Sequence, residues 1–123
     1  MCIRDRIFAI DQEGGPFTSY RIDEATLFPG AMMLAATNDI ELARRVGEAT
    51  AKELSYAGLT MNFAPVADVN SNPDNPIIGI RSFGDDPAKV SAFSQAFAEG
   101  SMSAGIASVT KHFPGHGLSL IHI

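Results

Sequence analysis

The stretch IASVTKHFPGHG, residues 106–117, decides the fold. Ile106–Thr110 is a mostly apolar run of strand length. A lysine and two histidines then crowd around a proline and two glycines, so the strand breaks into a sharp polar bend at its carboxyl end. The same pattern recurs toward the amino terminus. Ile7–Ile10 leads into DQEGG, and Met61–Val66 leads into DVNSNPDNPIIGIRSFG. Between these runs the apolar spacing is helical. From Asn38 to Ala57, Ile40, Ala43, Val46, Leu54 and Ala57 share roughly one face, with Asn38 as the expected N-cap and Gly58 ending the run. A second helix is expected to start at Asp86–Pro87, an acidic cap with proline in the first turn, and to run through Val90, Phe93 and Phe97 toward Gly105.

The order β, α, β, α, β calls for an α/β fold with parallel strands, in an open doubly wound sheet or a closed barrel. Periodicity does not choose between them. In both architectures ligands sit beyond the carboxyl ends of the strands. Asp11, Glu13, Asp68, Arg81, Lys111 and His112 are therefore expected around one mouth. The connection from about Asn70 to Gly84 has no periodicity, a length that marks a functional or disordered loop; its Asn–Pro turns and Ile77–Ile78 favour order.

Bulk properties narrow the partners. The 123 residues are 46% hydrophobic, enough for one modest core. A net charge of −5 without a basic block argues against nucleic acid or an anionic membrane surface. Cys2 stands alone, so no internal disulfide forms, and no apolar stretch is long enough to span a bilayer. A soluble protein is expected, with a cytoplasmic location favoured and a periplasmic or secreted one open if a signal lies upstream. Oligomeric state is not legible.

Asp11 and Glu13, two apart on one strand, project to the same side and so are poorly placed to flank a scissile bond. A carboxylate there suits hydrogen bonds from sugar hydroxyls. Arg81 reads equally as the partner of Asp68, Asp85 or Asp86 and as a fork for vicinal hydroxyls or a carboxylate. His112 and His116 are four apart, but Pro114 and Gly115 argue against the helix that a zinc pair would need, and no metal is expected. The spacing of a phosphate-binding glycine loop is absent. Lys111 and His112 are neighbours, which in a regular strand face opposite ways. For both to reach one ligand, a bulge, a kink or a non-proline cis peptide is expected at or beside them.

Taken in order and at these spacings, IDQEGG, NFAPVADVNSNPDNPIIGIRSFGDDP and KHFPGHG closely resemble the family 3 glycoside hydrolases, in particular their β-N-acetylhexosaminidase branch. The resemblance covers about residues 7–117 and implies a partial (β/α)8 TIM barrel of about three parallel strands with intervening helices. It implies that Asp11, Arg81, Lys111 and His112 bind the sugar, an N-acetylglucosaminide, where the glycosidic bond breaks. It implies no metal or organic cofactor. A further sugar-binding arginine usually follows the glycine pair; its place in this chain holds Ser19, and Arg21 lies two residues later, in register only if the loop holds an insertion. The branch's acid/base, a histidine paired with an aspartate, is expected shortly after the last glycine, where this chain reads Leu118-Ser-Leu-Ile-His-Ile123. His122 stands in the wrong context and register for that role. The family's aspartate nucleophile belongs to a later strand. Residues 1–6 and 118–123 match nothing in the family and resemble translated adapter sequence, so non-native ends on a fragment are expected. The function implied is retaining hydrolysis of terminal β-linked N-acetylglucosamine, with neither nucleophile nor acid/base in this chain. The alternatives are a β-glucosidase-type member or a non-catalytic sugar-binding module.

Overall fold

A computed structural model describes residues 6–117. The expectations for residues 1–5 and 118–123, His122 among them, lie outside the described residues. The elements run β1 (Ala9–Ile10), β2 (Gln12–Gly14), β3 (Phe17–Thr18), α1 (Ala31–Ala36), α2 (Ile40–Tyr56), β4 (Met61–Asn62), a 3-10 turn (Gly79–Arg81), α3 (Pro87–Ser103) and β5 (Ala107–Ser108).

Three strands form one parallel sheet in the order β1-β4-β5. Ala9 and Ile10 lie opposite Met61 and Asn62, which in turn lie opposite Ala107 and Ser108. Successive strands add to the same side without reversal, as in the wall of a barrel. A second parallel bridge joins Val66 to Lys111, so the chain stays close to strand geometry beyond the named ends. The strands are shorter than the apolar runs that announce them. β1 takes only the end of its run, β4 only the start, and β5 leaves out residues at both ends.

The helices carry the packing. The N-caps of α2 and α3 are aspartates whose carboxylates accept backbone N–H groups: Asp39 from Leu42 and Asp86 from Ala88. The first of these corrects the reading of Asn38, which has φ +54 and stands one residue before the cap. Proline opens α3 as expected. Helices α2 and α3 press together at two glycines. A Cβ on Gly47 would lie 2.2 Å from the Phe97 carbonyl oxygen, and one on Gly100 would lie 2.0 Å from that of Arg44. No side chain fits at either crossing. Around it Ala43, Val46, Val90, Phe93, Ala96 and Phe97 form the core with Phe83 and with Leu34 of α1.

Two elements carry no clear sequence signal. The DQEGG segment, which reads as a strand end and glycine turn, goes on as an antiparallel β2–β3 hairpin with an irregularity between Gln12 and Gly14. Gly14 has φ +90 and lies against the backbone of Pro29, a position closed to any side chain. Helix α1 then packs on α2 and on the 3-10 turn.

Candidate functional site

Position starts with Asn62, which is buried at the end of β4. Its amide accepts the Gln12 N–H at 2.9 Å and donates to the Gln12 carbonyl at 3.0 Å, tying the hairpin to the sheet. The buried Gln12 side chain points away from the mouth and accepts the N–H groups of Ser19 and Tyr20. Alternation then sends Asp11 and Glu13 to the opposite side, as their spacing predicts.

The loop between β4 and α3 is anchored. Ile78 is fully buried. The Asn75 amide oxygen accepts the N–H groups of Ile77 and Ile78, and its nitrogen donates to the His116 carbonyl. Ser82 Oγ donates to the Asp68 carbonyl at 2.6 Å. This framework presents Arg81 at the end of its turn. After β5, the Lys111–His112 peptide is cis, one of the three geometries expected, and both side chains reach the same cavity.

That cavity is about 530 Å³, within the usual range for small-ligand sites, and is lined by Asp11, Glu13, Phe17, Phe63, Arg81, Lys111 and His112 among others. The four residues singled out by sequence thus converge. Their pairing differs from expectation. Arg81 does not pair with Asp68, Asp85 or Asp86. Its partner is Glu13, through Nε–Oε2 at 2.9 Å and Nη2–Oε1 at 2.8 Å, a bidentate pair. Lys111 Nζ lies 2.6 Å from Glu13 Oε1 and also donates to Asp11 Oδ1. Phe17 on the hairpin stacks on the guanidinium, 4.7 Å from ring centre to Cζ.

His112 has two distinct neighbours. Its Nε2 lies 3.3 Å from Arg81 Nη2, and its Nδ1 lies 2.5 Å from Asp68 Oδ2. A guanidinium only donates, so Nε2 accepts and the proton sits on Nδ1, facing Asp68. Asp68 itself is buried beneath the ring, where it also accepts the His116 N–H, and so stands behind the mouth on which it was expected. Arg21 donates to the Thr18 and Pro16 carbonyls and braces the hairpin, whereas Ser19 lines the cavity. The rings of His112 and His116 meet edge to face, 5.5 Å apart.

These contacts set the ionisation. Burial pushes the Glu13 carboxyl up, but the hydrogen bonds and charges of Arg81 and Lys111 outweigh it and hold the group below its ordinary value of 4.5. Arg81 is raised, first by its bond to Glu13, although burial opposes this. A depressed carboxylate contributes stability above its unfolded value, and that contribution is lost as pH falls through the folded one. The urea midpoint of the chain should therefore drop as pH falls below about 4.5. Glu13→Gln should flatten that acid limb. Equal acid slopes in the two proteins would contradict a Glu13 carboxylate stabilised by its two cations.

A model described as "Glycosyl hydrolase family 3 N terminal domain" matches residues 5–122. Beta-hexosaminidase A of Pseudoalteromonas piscicida is 46% identical over 113 residues, 89% of this chain and 19% of that protein. Among solved structures, a family 3 β-N-acetylglucosaminidase from Paenibacillus sp. superposes with a TM-score of 0.87 at 43% identity, covering 90% of this chain and 21% of the other. NagZ from Neisseria gonorrhoeae, solved with N-trifluoroacetyl-D-glucosamine, gives 0.83 at 34% identity, covering 91% and 34%. The chain thus spans about a fifth to a third of these relatives. The three-stranded sheet is part of a TIM barrel, and a match over nearly every residue, at these identities and with this backbone, places the chain in the glycosyl hydrolase family 3 N-terminal domain family.

Proposed function

We propose that this chain forms the sugar-holding wall of a glycosidase that removes terminal β-linked N-acetylglucosamine by a retaining route. One observation carries the reading: Asp11, Arg81, Lys111 and His112, drawn from the loops after three parallel strands, line one cavity. Asp11 keeps 56% of its side chain exposed, and its Oδ1 bonds Lys111, which leaves Oδ2 for sugar hydroxyls. Arg81 and Lys111 offer N–H groups to hydroxyl oxygens. These are the donors and acceptors that a polyol needs, held on rigid strand ends. The names of the relatives support the substrate class, since they are called hexosaminidase and N-acetylglucosaminidase, and one was solved with an N-acylated glucosamine.

Cleavage asks for more. A retaining route needs a nucleophile and an acid/base on either side of the bond. Asp11 and Glu13 face the same side, and both are engaged by Lys111. The role of these residues is binding. The 123-residue chain should therefore give saturable N-acetylglucosamine shifts in an NMR titration, bind glucose more weakly, and release no nitrophenol from the nitrophenyl N-acetylglucosaminide. Failure to bind either sugar would remove the proposed site. Turnover at a rate near that of full-length family members would refute the division between binding and cleavage.

A further inference from the structure

Glu13 lies in the same cavity as the four proposed sugar ligands, yet its bonds set it apart. Its side chain is 8% exposed against 56% for Asp11. Oε1 accepts from Arg81 Nη2 and lies 2.6 Å from Lys111 Nζ, while Oε2 accepts from Arg81 Nε. A carboxylate has about four acceptor positions, and three of these are filled by protein. Arg81 in turn touches His112 Nε2, and Lys111 touches Asp11. Every one of the four cavity residues is thus bonded to Glu13 directly or through one neighbour.

We propose that Glu13 is a positioning residue of the sugar site, which fixes the Arg81 fork and the Lys111 ammonium and, through them, sets His112 and Asp11. The inference rests on the sugar-site reading above. Two long cations without this anchor would be free to swing into the cavity and repel each other. With it, the guanidinium plane has one orientation, with Phe17 on its face and Nη2 shared between Glu13 and His112. Bidentate geometry gives direction as well as attraction, which a point charge alone does not.

The test compares the 123-residue chain with Glu13→Gln, Glu13→Asp and Glu13→Ala in two readouts. The first needs no ligand. The Arg81 Nε–H resonance should be shifted and slow to exchange in the wild type, altered in Glu13→Gln, and lost in Glu13→Ala, with other backbone amides unmoved. An Arg81 resonance the same in all four proteins would overturn the proposal. If Glu13→Ala fails to fold, the near-isosteric Glu13→Gln decides. The second readout is titration with N-acetylglucosamine and its single-deoxy analogues. Losing an anchor bond to a charged group should weaken N-acetylglucosamine about tenfold in Glu13→Gln. That loss should persist with every analogue, and Glu13→Asp should recover part of it. A loss that vanishes with one analogue alone would mean that Glu13 touches that hydroxyl itself, and would overturn the positioning role. Wild-type affinity in all variants would overturn it too, leaving the sugar site standing. Absence of sugar binding by the wild type would refute the sugar-site reading instead, and with it the purpose assigned to Glu13, even where the Arg81 resonance reports the anchor.

Discussion

Gly100→Ala is expected to lower the stability of the chain, although alanine is the better helix former by about 1 kcal/mol. The added Cβ would sit 2.0 Å from the Arg44 carbonyl oxygen and 2.9 Å from the Glu48 amide nitrogen. Both are backbone atoms of α2, so no side chain can swing aside. The helices must part, and the contact between them is the most extensive among the described elements. Overpacking of this kind costs about 1–3 kcal/mol net, and valine should cost more. Urea unfolding followed by circular dichroism measures it. A midpoint raised by the alanine would show that helix propensity wins and that the helices are not in close contact at this crossing.

The second large effect is expected at Arg81. Arg81→Met removes both cationic bonds from one side of Glu13, whose side chain is 8% exposed. Breaking a buried pair costs about 3–5 kcal/mol, because the remaining charge keeps its desolvation penalty without its partner. Lys111 still bonds Glu13, so the lower end of that range is expected. Adding Glu13→Gln to Arg81→Met should return part of the loss, since it removes the stranded charge. Sugar binding should be abolished in both proteins. A double variant that loses the two single costs in full would indicate that the residues do not couple.

The site shows where reading the sequence runs out. Features set by residues near one another in the chain are legible. Asp11 and Glu13 do face one side, Lys111 and His112 do depart from regular strand geometry, and Asp86–Pro87 does open α3. The partners of those charges are not legible. Arg81 finds an acid 68 residues away, and His112 finds one 44 residues away. Nearer acids such as Asp85 and Asp86 stand available for Arg81, and local spacing favours them. Gln12 and Asn62 give no signal either, because a buried amide that clamps a hairpin looks in sequence like any polar residue beside a strand.

By itself the sequence determined the alternation of strands and helices, the start of α3, the side on which the carboxylates fall and the family. Each depends on backbone preferences and side-chain periods that act over a few residues, or on motifs long enough to be distinctive. Tertiary structure alone decided which charge meets which, that Glu13 is the centre of the cluster, that Asp68 sits behind His112 and that α2 and α3 touch at glycines. Those outcomes depend on distances between segments far apart in the chain, and a charge takes whichever counterion the folded backbone brings within hydrogen-bonding reach.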